Sequence, residues 1–186
     1  MSRSYSAGYA VWYCPFQEDG TPYPSQDPDF YAEPYVLLVQ QHGEWSEKKG
    51  DYRKKSGTWS IPKGHVKKGE TLQECAAREL EEETCVKLGP VNDIDLTLFT
   101  KSERPSRGGK KEHKVIHMFG HMLDTPHEEL LICTKDKAIT SFGWYTFKKA
   151  KKLLHKSDFE AMQRLYNKYM WKYLQWSHIP SRCINF

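Results

Sequence analysis

Apolar runs separated by polar breaks divide this chain into short elements. Residues 7–13 (Ala-Gly-Tyr-Ala-Val-Trp-Tyr) have the composition of a strand. Residues 34–41 form a second, and the consecutive apolar positions Val36-Leu37-Leu38-Val39 predict a strand covered on both faces. Residues 93–100, 114–123 and 138–146 read as three more strands, and residues 148–155 as a short helix. The breaks at 15–34, 42–58 and 101–111 are rich in Pro, Gly, Asp and Lys and are expected to be long loops, the first two framing a substrate site. Ser157-Asp158-Phe159-Glu160 has the form of a capping box and predicts a helix over about 158–176. Phe159, Met162, Tyr166, Tyr169, Met170 and Tyr173 recur at helical spacing along it and are expected to pack in the core. Strands on either side of a central helix, then a terminal helix, predict an α/β fold with a mixed sheet flanked by helices.

The central helix carries the chemistry. Thr71 and Glu74 form a capping box, so a helix starts there and runs to about Thr84. At 3.6 residues per turn Glu79, Glu82 and Glu83 then share one face. Three carboxylates so close repel one another, and the helix C-terminus also disfavours negative charge. A positive group is therefore expected among them. Hard divalent cations take carboxylate and carbonyl oxygen and are completed by water and substrate phosphates, which points to Mg2+, with Mn2+ as the alternative. A plain solvated helix face would account for the acids. It gives no reason for Gly64, Glu70 and Arg78 to stand at their spacings as well.

Those spacings carry a family resemblance. Gly64, five residues, Glu70, seven residues, then Arg78-Glu79-Leu80-x-Glu82-Glu83-x-Cys85-Val86 resembles the Nudix box, with Cys85 in place of the usual glycine at the turn that ends the helix. The substitution bears on turn geometry and removes no ligand. Resemblance to Nudix hydrolases implies an α/β/α sandwich over about residues 5–176 with the box helix on one side of the sheet. It implies hydrolysis of a nucleoside diphosphate linked to another moiety. Glu79, Glu82, Glu83 and the Gly64 carbonyl would hold the metal, Glu79 and Glu82 would be catalytic with Glu79 the first choice of base, and Glu70 and Arg78 would form a supporting salt bridge. A base outside the box would have to come from Glu112, Glu128, Glu129 or Asp136. The lead-in Trp59-Ser60-Ile61-Pro62-Lys63-Gly64-His65-Val66 resembles that of dinucleoside polyphosphate hydrolases, making diadenosine tetraphosphate the expected substrate type. Related lead-ins belong to diphosphoinositol polyphosphate and RNA 5′-end pyrophosphohydrolases, so these remain alternatives. A non-catalytic Nudix-like nucleotide or RNA binding module would be expected to have lost box glutamates, and none is lost here.

Length and charge narrow the setting. The 186 residues suit a single domain, and the net charge of +4 favours a polyanionic substrate. Lys63, Lys110 and Lys111 are the candidate phosphate contacts. Hydrophobic residues make up 38%, a low share that fits long polar loops. The cysteines at 14, 75, 85, 133 and 183 are odd in number and lack a Cys-x-x-Cys pair, which argues against a disulfide framework or zinc site and predicts a reducing compartment. Neither a signal-peptide core nor a run of about 18 apolar residues occurs, so the protein is expected to be cytoplasmic. A small phosphate-rich molecule is the expected partner, an RNA 5′ end the alternative, and neither membrane nor DNA is expected. No RNA-recognition motif occurs. His113, His117 and His121 would line one strand face about 13 Å apart, too far to share one ion, and read as wall residues. Trp12, Trp45, Trp59, Trp144 and Tyr145 are the candidates for stacking on a base.

Overall fold

The computed structural model describes residues 3–13, 34–42, 45–46, 51–52, 57–88, 99–105, 113–123 and 134–176. Nine strands and three helices lie in this part of the chain: β1 Arg3–Tyr13, β2 Tyr35–Gln41, β3 Trp45–Ser46, β4 Asp51–Tyr52, β5 Thr58–Ser60, β6 Lys63–His65, α1 Leu72–Thr84, β7 Phe99–Pro105, β8 His113–Met122, β9 Ile139–Thr146, α2 Phe147–Leu153 and α3 Lys156–Trp176. Among the described residues no helix is long and apolar enough to cross a membrane.

The main sheet is mixed. β1 runs parallel to β8, and every other pairing is antiparallel. Its spatial order is β5-β2-β1-β8-β7, with β6 added to the first half of β1 and β9 to β2. β1 pairs with β6 at Ser6–Gly8 and reaches β2 only at Trp12 and Tyr13. The segment 61–62 therefore sits where β1 and β2 part, and its Pro62 carbonyl accepts the Tyr9 N–H at 3.2 Å.

Strand alternation splits the core into two layers. Tyr9, Val11, Leu37 and Phe119 face α1, where Cys75, Ala76 and Leu80 pack against them. Small residues at 75 and 76 let α1 lie close, and burying Leu80 contributes roughly 1.5–3 kcal/mol. On the other face Trp12, Val36, Leu38, Ile116 and Met118 meet Phe147 of α2 and Phe159, Met162, Leu165 and Tyr166 of α3. This is the α/β/α sandwich expected, with the box helix the one helix on its side among the described residues.

Several local expectations are corrected. Residues 101–105 belong to β7, paired from Lys101↔His117 to Pro105↔His113, and not to a loop. Polar Lys-Ser-Glu-Arg hides a strand that comes last in the sheet among the described residues and is held by its backbone ladder with β8. Within 42–58, Trp45↔Tyr52 and Ser46↔Asp51 form a small separate ladder. Residues 15–33 and 93–98 lie outside the described residues. α3 starts at Lys156, and the box expected at Ser157 does not form. His155 sits just before the helix instead, its Nδ1 accepting the Ser157 N–H at 3.3 Å and its carbonyl the Phe159 N–H at 3.1 Å. The stripe Phe159, Met162 and Tyr166 is buried as expected, while the side chains of Tyr169, Met170 and Tyr173 lie outside the description.

Candidate active site

The loop from Gly64 to Glu70 docks onto α1 through one guanidinium. Gly69, at φ 85°, makes the turn that lets the Glu70 N–H reach the Lys67 carbonyl at 3.2 Å while the Lys67 N–H reaches Glu70 Oε2 at 2.9 Å. Thr71 and Glu74 then form the full capping box that starts α1. Arg78 holds Glu70 in a two-pronged pair, Nε to Oε1 at 2.7 Å and Nη2 to Oε2 at 3.0 Å, and donates through Nη2 to the His65 carbonyl at 3.1 Å. That pairing drives the Glu70 pKa down to about 2, through the Arg78 hydrogen bonds above all, and raises that of Arg78. The remaining Arg78 nitrogen, Nη1, reaches Glu79 Oε1 at 2.6 Å and Glu82 Oε2 at 3.0 Å. The cation that the acid cluster calls for is thus partly supplied from within the box.

The three helix carboxylates share a face, yet their surroundings differ. Glu82 is 47% exposed, Glu79 13%, and Glu83 only 2%. Glu83 accepts the Gln41 Nε2 amide at 3.1 Å and the Lys63 main-chain N–H at 3.0 Å. Burial still pushes its pKa up to about 7, against the pull of those two donors. Gly64 lies against Glu79 so closely that a Cβ would collide with the carboxylate, which is why this box position takes glycine. The Gly64 carbonyl is turned towards α1, 3.6 Å from Cys75 Sγ. Among the described residues no three His, Cys, Asp or Glu side chains converge on one point in this arrangement. The donor set of Glu79, Glu82, Glu83 and the Gly64 carbonyl is nevertheless the hard-oxygen chemistry that Mg2+ takes.

Main-chain bonds hold the end of α1. Lys135 N–H and Asp136 N–H both donate to the Glu82 carbonyl, at 3.0 and 3.2 Å, and Lys135 Nζ and Lys87 Nζ meet Glu81 at 3.0 and 3.4 Å. These cations counter the negative end of the helix. Cys85 closes it in a left-handed conformation, φ 60° and ψ 1°, with its N–H on the Glu81 carbonyl at 2.9 Å. It is disulfide-bonded, a pairing that the scattered cysteine pattern, read as arguing against a disulfide framework, did not announce. Cys75 is buried and free.

Other candidates fall elsewhere. The Lys63 ammonium is turned to the α3 side, 12% exposed, 3.8 Å from Asp158 and donating to the Ile61 carbonyl at 3.3 Å. As a phosphate contact it would first have to leave these partners, since alternation along β6 puts it across the strand from Gly64 and Glu79. Lys110, Lys111, Glu112, Glu128 and Glu129 lie outside the described residues. Asp136 is engaged by the Ala138 N–H at 2.8 Å. Trp12 is fully buried edge-on to Tyr166 and is core; Trp59 and Tyr145 form a half-buried edge-to-face pair with centroids 4.9 Å apart. His117 and His121 line the α1 side of β8, where the His117 ring stacks on Tyr5 at 6.2 Å. Gln41, the Lys63 N–H and Asp158 escaped the sequence reading. A glutamine ending the apolar run of β2 was the one signal for the first.

Comparison with known proteins agrees with this geometry. A profile of the NUDIX domain matches residues 27–165. The putative mutator protein MutT4 of Mycobacterium tuberculosis is 36% identical over 64 residues, covering 33% of this chain and 23% of that protein. The m7GpppN-mRNA hydrolase NUDT17 of Xenopus laevis is 29% identical over 104 residues, 54% of this chain and 35% of that one. The matched stretches thus span 23% and 35% of these curated relatives. Among solved structures, the binary complex of the C. elegans Ap4A hydrolase superposes with a TM-score of 0.57 at 17% identity, over 91% of this chain and 98% of that one. The NUDIX domain of Shewanella oneidensis NrtR complexed with ADP ribose gives 0.55 at 12% identity, over 91% and 90%. At such identities the likeness concerns the fold. With a profile match over residues 27–165, this chain belongs to the NUDIX domain family.

Proposed function

We propose that this chain is a Mg2+-dependent pyrophosphohydrolase that cleaves a phosphoanhydride bond in a nucleoside diphosphate derivative, with a dinucleoside polyphosphate such as diadenosine tetraphosphate as preferred substrate, acting in the cytoplasm. The observation that carries it is the buried Glu83 carboxylate, held by two N–H donors beside Glu79 and Glu82 on one helix face. Glu79, Glu82, Glu83 and the Gly64 carbonyl would hold Mg2+, with Mn2+ as a substitute. A cation there supplies charge neutralisation for the phosphate chain and makes water a stronger acid. Glu79 accepts the proton of the attacking water, packed as it is against Gly64. Water oxygen bonds to phosphorus, the bridging P–O bond breaks, and the leaving phosphate takes its electron pair. Glu70 and Arg78 keep the loop and the carboxylates in register without touching the reacting atoms.

A second reading is favoured by the likeness to the Xenopus mRNA hydrolase. A cap of the form m7GpppN is itself two nucleosides joined through phosphates, so an RNA 5′ end presents the same bond. Initial rates with Mg2+ on diadenosine tetraphosphate, ATP, a diphosphoinositol phosphate, 5′-triphosphorylated RNA and capped RNA, with products identified, test both readings. A preferred dinucleoside polyphosphate supports the first, and turnover confined to RNA ends replaces it with the second. No hydrolysis of any of them at saturating metal would leave a binding module.

A further inference from the structure

α2 buries one side and charges the other. Phe147, Ala150 and the following Leu154 sink into the α3-side core, while Lys148, Lys149, Lys151 and Lys152 are exposed. At 100° per residue the four lysines fall within an arc of about 160°. Lys151 lies over the Phe159 ring at 6.0 Å, and the exposed Lys156 beyond it pairs with Glu160 at 3.8 Å. Among the described residues no ion pair is formed by Lys148, Lys149 or Lys152. Like charges three and four residues apart destabilise a helix by roughly 0.2–0.5 kcal/mol each, and Lys148 and Lys149 also stand at its positive end. The first turn contains no acid to offset them. An interspersed solubilising surface would alternate signs; this one does not.

Position gives the charge a use. α2 follows β9 directly, and Tyr145 near the end of β9 meets Trp59, five residues before Gly64. Five extended residues span at most ~18 Å, which bounds the run from Trp59 to Gly64. α2 and the box helix lie on opposite sides of the sheet, and the link between them is Lys63, whose ammonium meets Asp158 of α3 and whose N–H meets Glu83. A chain lying on α2 must therefore turn round the sheet to enter the box. The apolar side of α2 is spent on the core, leaving nothing to insert into a membrane. Ammonium groups with no carboxylate between them suit consecutive phosphates.

We propose that the outward face of α2, through Lys148, Lys149 and Lys152, binds the backbone of a single-stranded RNA whose 5′ end enters the box. The proposal rests on reading the box as a pyrophosphohydrolase site that accepts RNA ends. It makes the length of the RNA, beyond its first nucleotides, a determinant of affinity.

The full chain and a K148Q/K149Q/K152Q variant test it, with Lys151 kept because it covers Phe159. Fluorescence anisotropy with a short 5′-hydroxyl RNA, which has no anhydride to cleave, reads the surface apart from the chemistry. Affinity should fall roughly tenfold or more in the variant, and the slope of log affinity against log salt should shrink by about 0.7 for each phosphate that a lysine no longer neutralises. Hydrolysis of diadenosine tetraphosphate should be unchanged while kcat/KM on capped or triphosphorylated RNA falls in parallel with binding. Unaltered RNA affinity in a folded variant, or equal binding of anionic vesicles and RNA by the wild type, overturns the proposal. Loss of RNA binding in the variant, with no RNA hydrolysis by the wild type, upholds the surface and rejects RNA ends as substrates of the box.

Discussion

Burial separates Glu83 from the two acids beside it, and this bears on what each does. An anion 2% exposed, with a pKa near 7, weighs on the fold whenever it is charged without a cation. Glu83→Gln removes that charge, and a flip of the Gln41 amide restores the lost hydrogen bond. In chelator at pH 8 this variant should therefore melt at or above the wild type, whereas Mg2+ should raise the melting point of the wild type more than that of the variant. Turnover in Glu82→Gln and Glu83→Gln should fall by orders of magnitude, because both charge neutralisation and water activation depend on the ligands. Near-wild-type rates in both at saturating Mg2+ would defeat the assignment. Cys85 carries a different strain. Its φ of 60° costs an L residue roughly 1–2 kcal/mol, more than the 0.5–1 kcal/mol or so of extra chain freedom that glycine brings. With the disulfide reduced in both proteins, Cys85→Gly should melt a few degrees higher at unchanged kcat. A complete loss of activity would assign the thiol a role beyond the turn.

Two junctions between elements hold the site in shape. At the first, Arg78 ties the 64–70 loop to α1 through Glu70, whose pKa drops from its ordinary 4.5 to about 2. A carboxylate depressed in the fold adds stability above its unfolded pKa and loses it as pH falls through the folded value. Urea melts of the wild type and Glu70→Gln should accordingly differ most above pH 5 and converge between about pH 5 and pH 2. A gap that stays constant with pH would mean the ion pair contributes nothing. At the second junction Asp158 of α3, 2% exposed, faces the Lys63 ammonium across the sheet from α1. Lys63 is thereby held from both sides, by its side chain on α3 and by its main-chain N–H on Glu83. Asp158→Asn removes the buried charge that faces this ammonium, a change that costs up to about 3–5 kcal/mol. It should also shift Mg2+ activation to higher concentration, with Asp158→Glu recovering part of the shift. A folded Asp158→Asn protein with unaltered Mg2+ dependence would reduce the pair to core packing.

Across the molecule, the excess of lysine sets the affinity for charge and leaves the nucleoside unspecified. A net charge of +4 concentrates phosphate-rich ligands near the surface, and the attraction weakens with salt. The kcat/KM for diadenosine tetraphosphate should exceed that for ATP, and its fall between low and high salt should be the steeper. Equal or better use of ATP would reject the dinucleoside polyphosphate reading and leave the box chemistry standing. The distribution matters as well as the sum, since the lysines of α2 lie on the side of the sheet opposite α1.

Local physics made the box helix legible. A capping box closes between Thr71 and Glu74 three residues apart, the 3.6-residue period puts Glu79, Glu82 and Glu83 on one face, and Arg78 reaches Glu82 one turn away. The apolar stripes of β2 and α3 likewise announced two buried elements. Whether Glu83 is wet or dry depends on Gln41 and Lys63, 42 and 20 residues away, and no period in the sequence encodes such a meeting. The same holds for Lys63, which the box placed beside the substrate and α3 turned to Asp158. A strand was expected only as far as residue 100, and β7 continues to Pro105 because a strand that comes last in the sheet among the described residues needs a partner's backbone more than apolar side chains. The competing cap at His155 displaced a box that Ser157 and Glu160 spelled out. Contacts within a turn of helix follow from spacing, whereas burial, charge state and the partners of main-chain groups arise only when distant strands and helices come together.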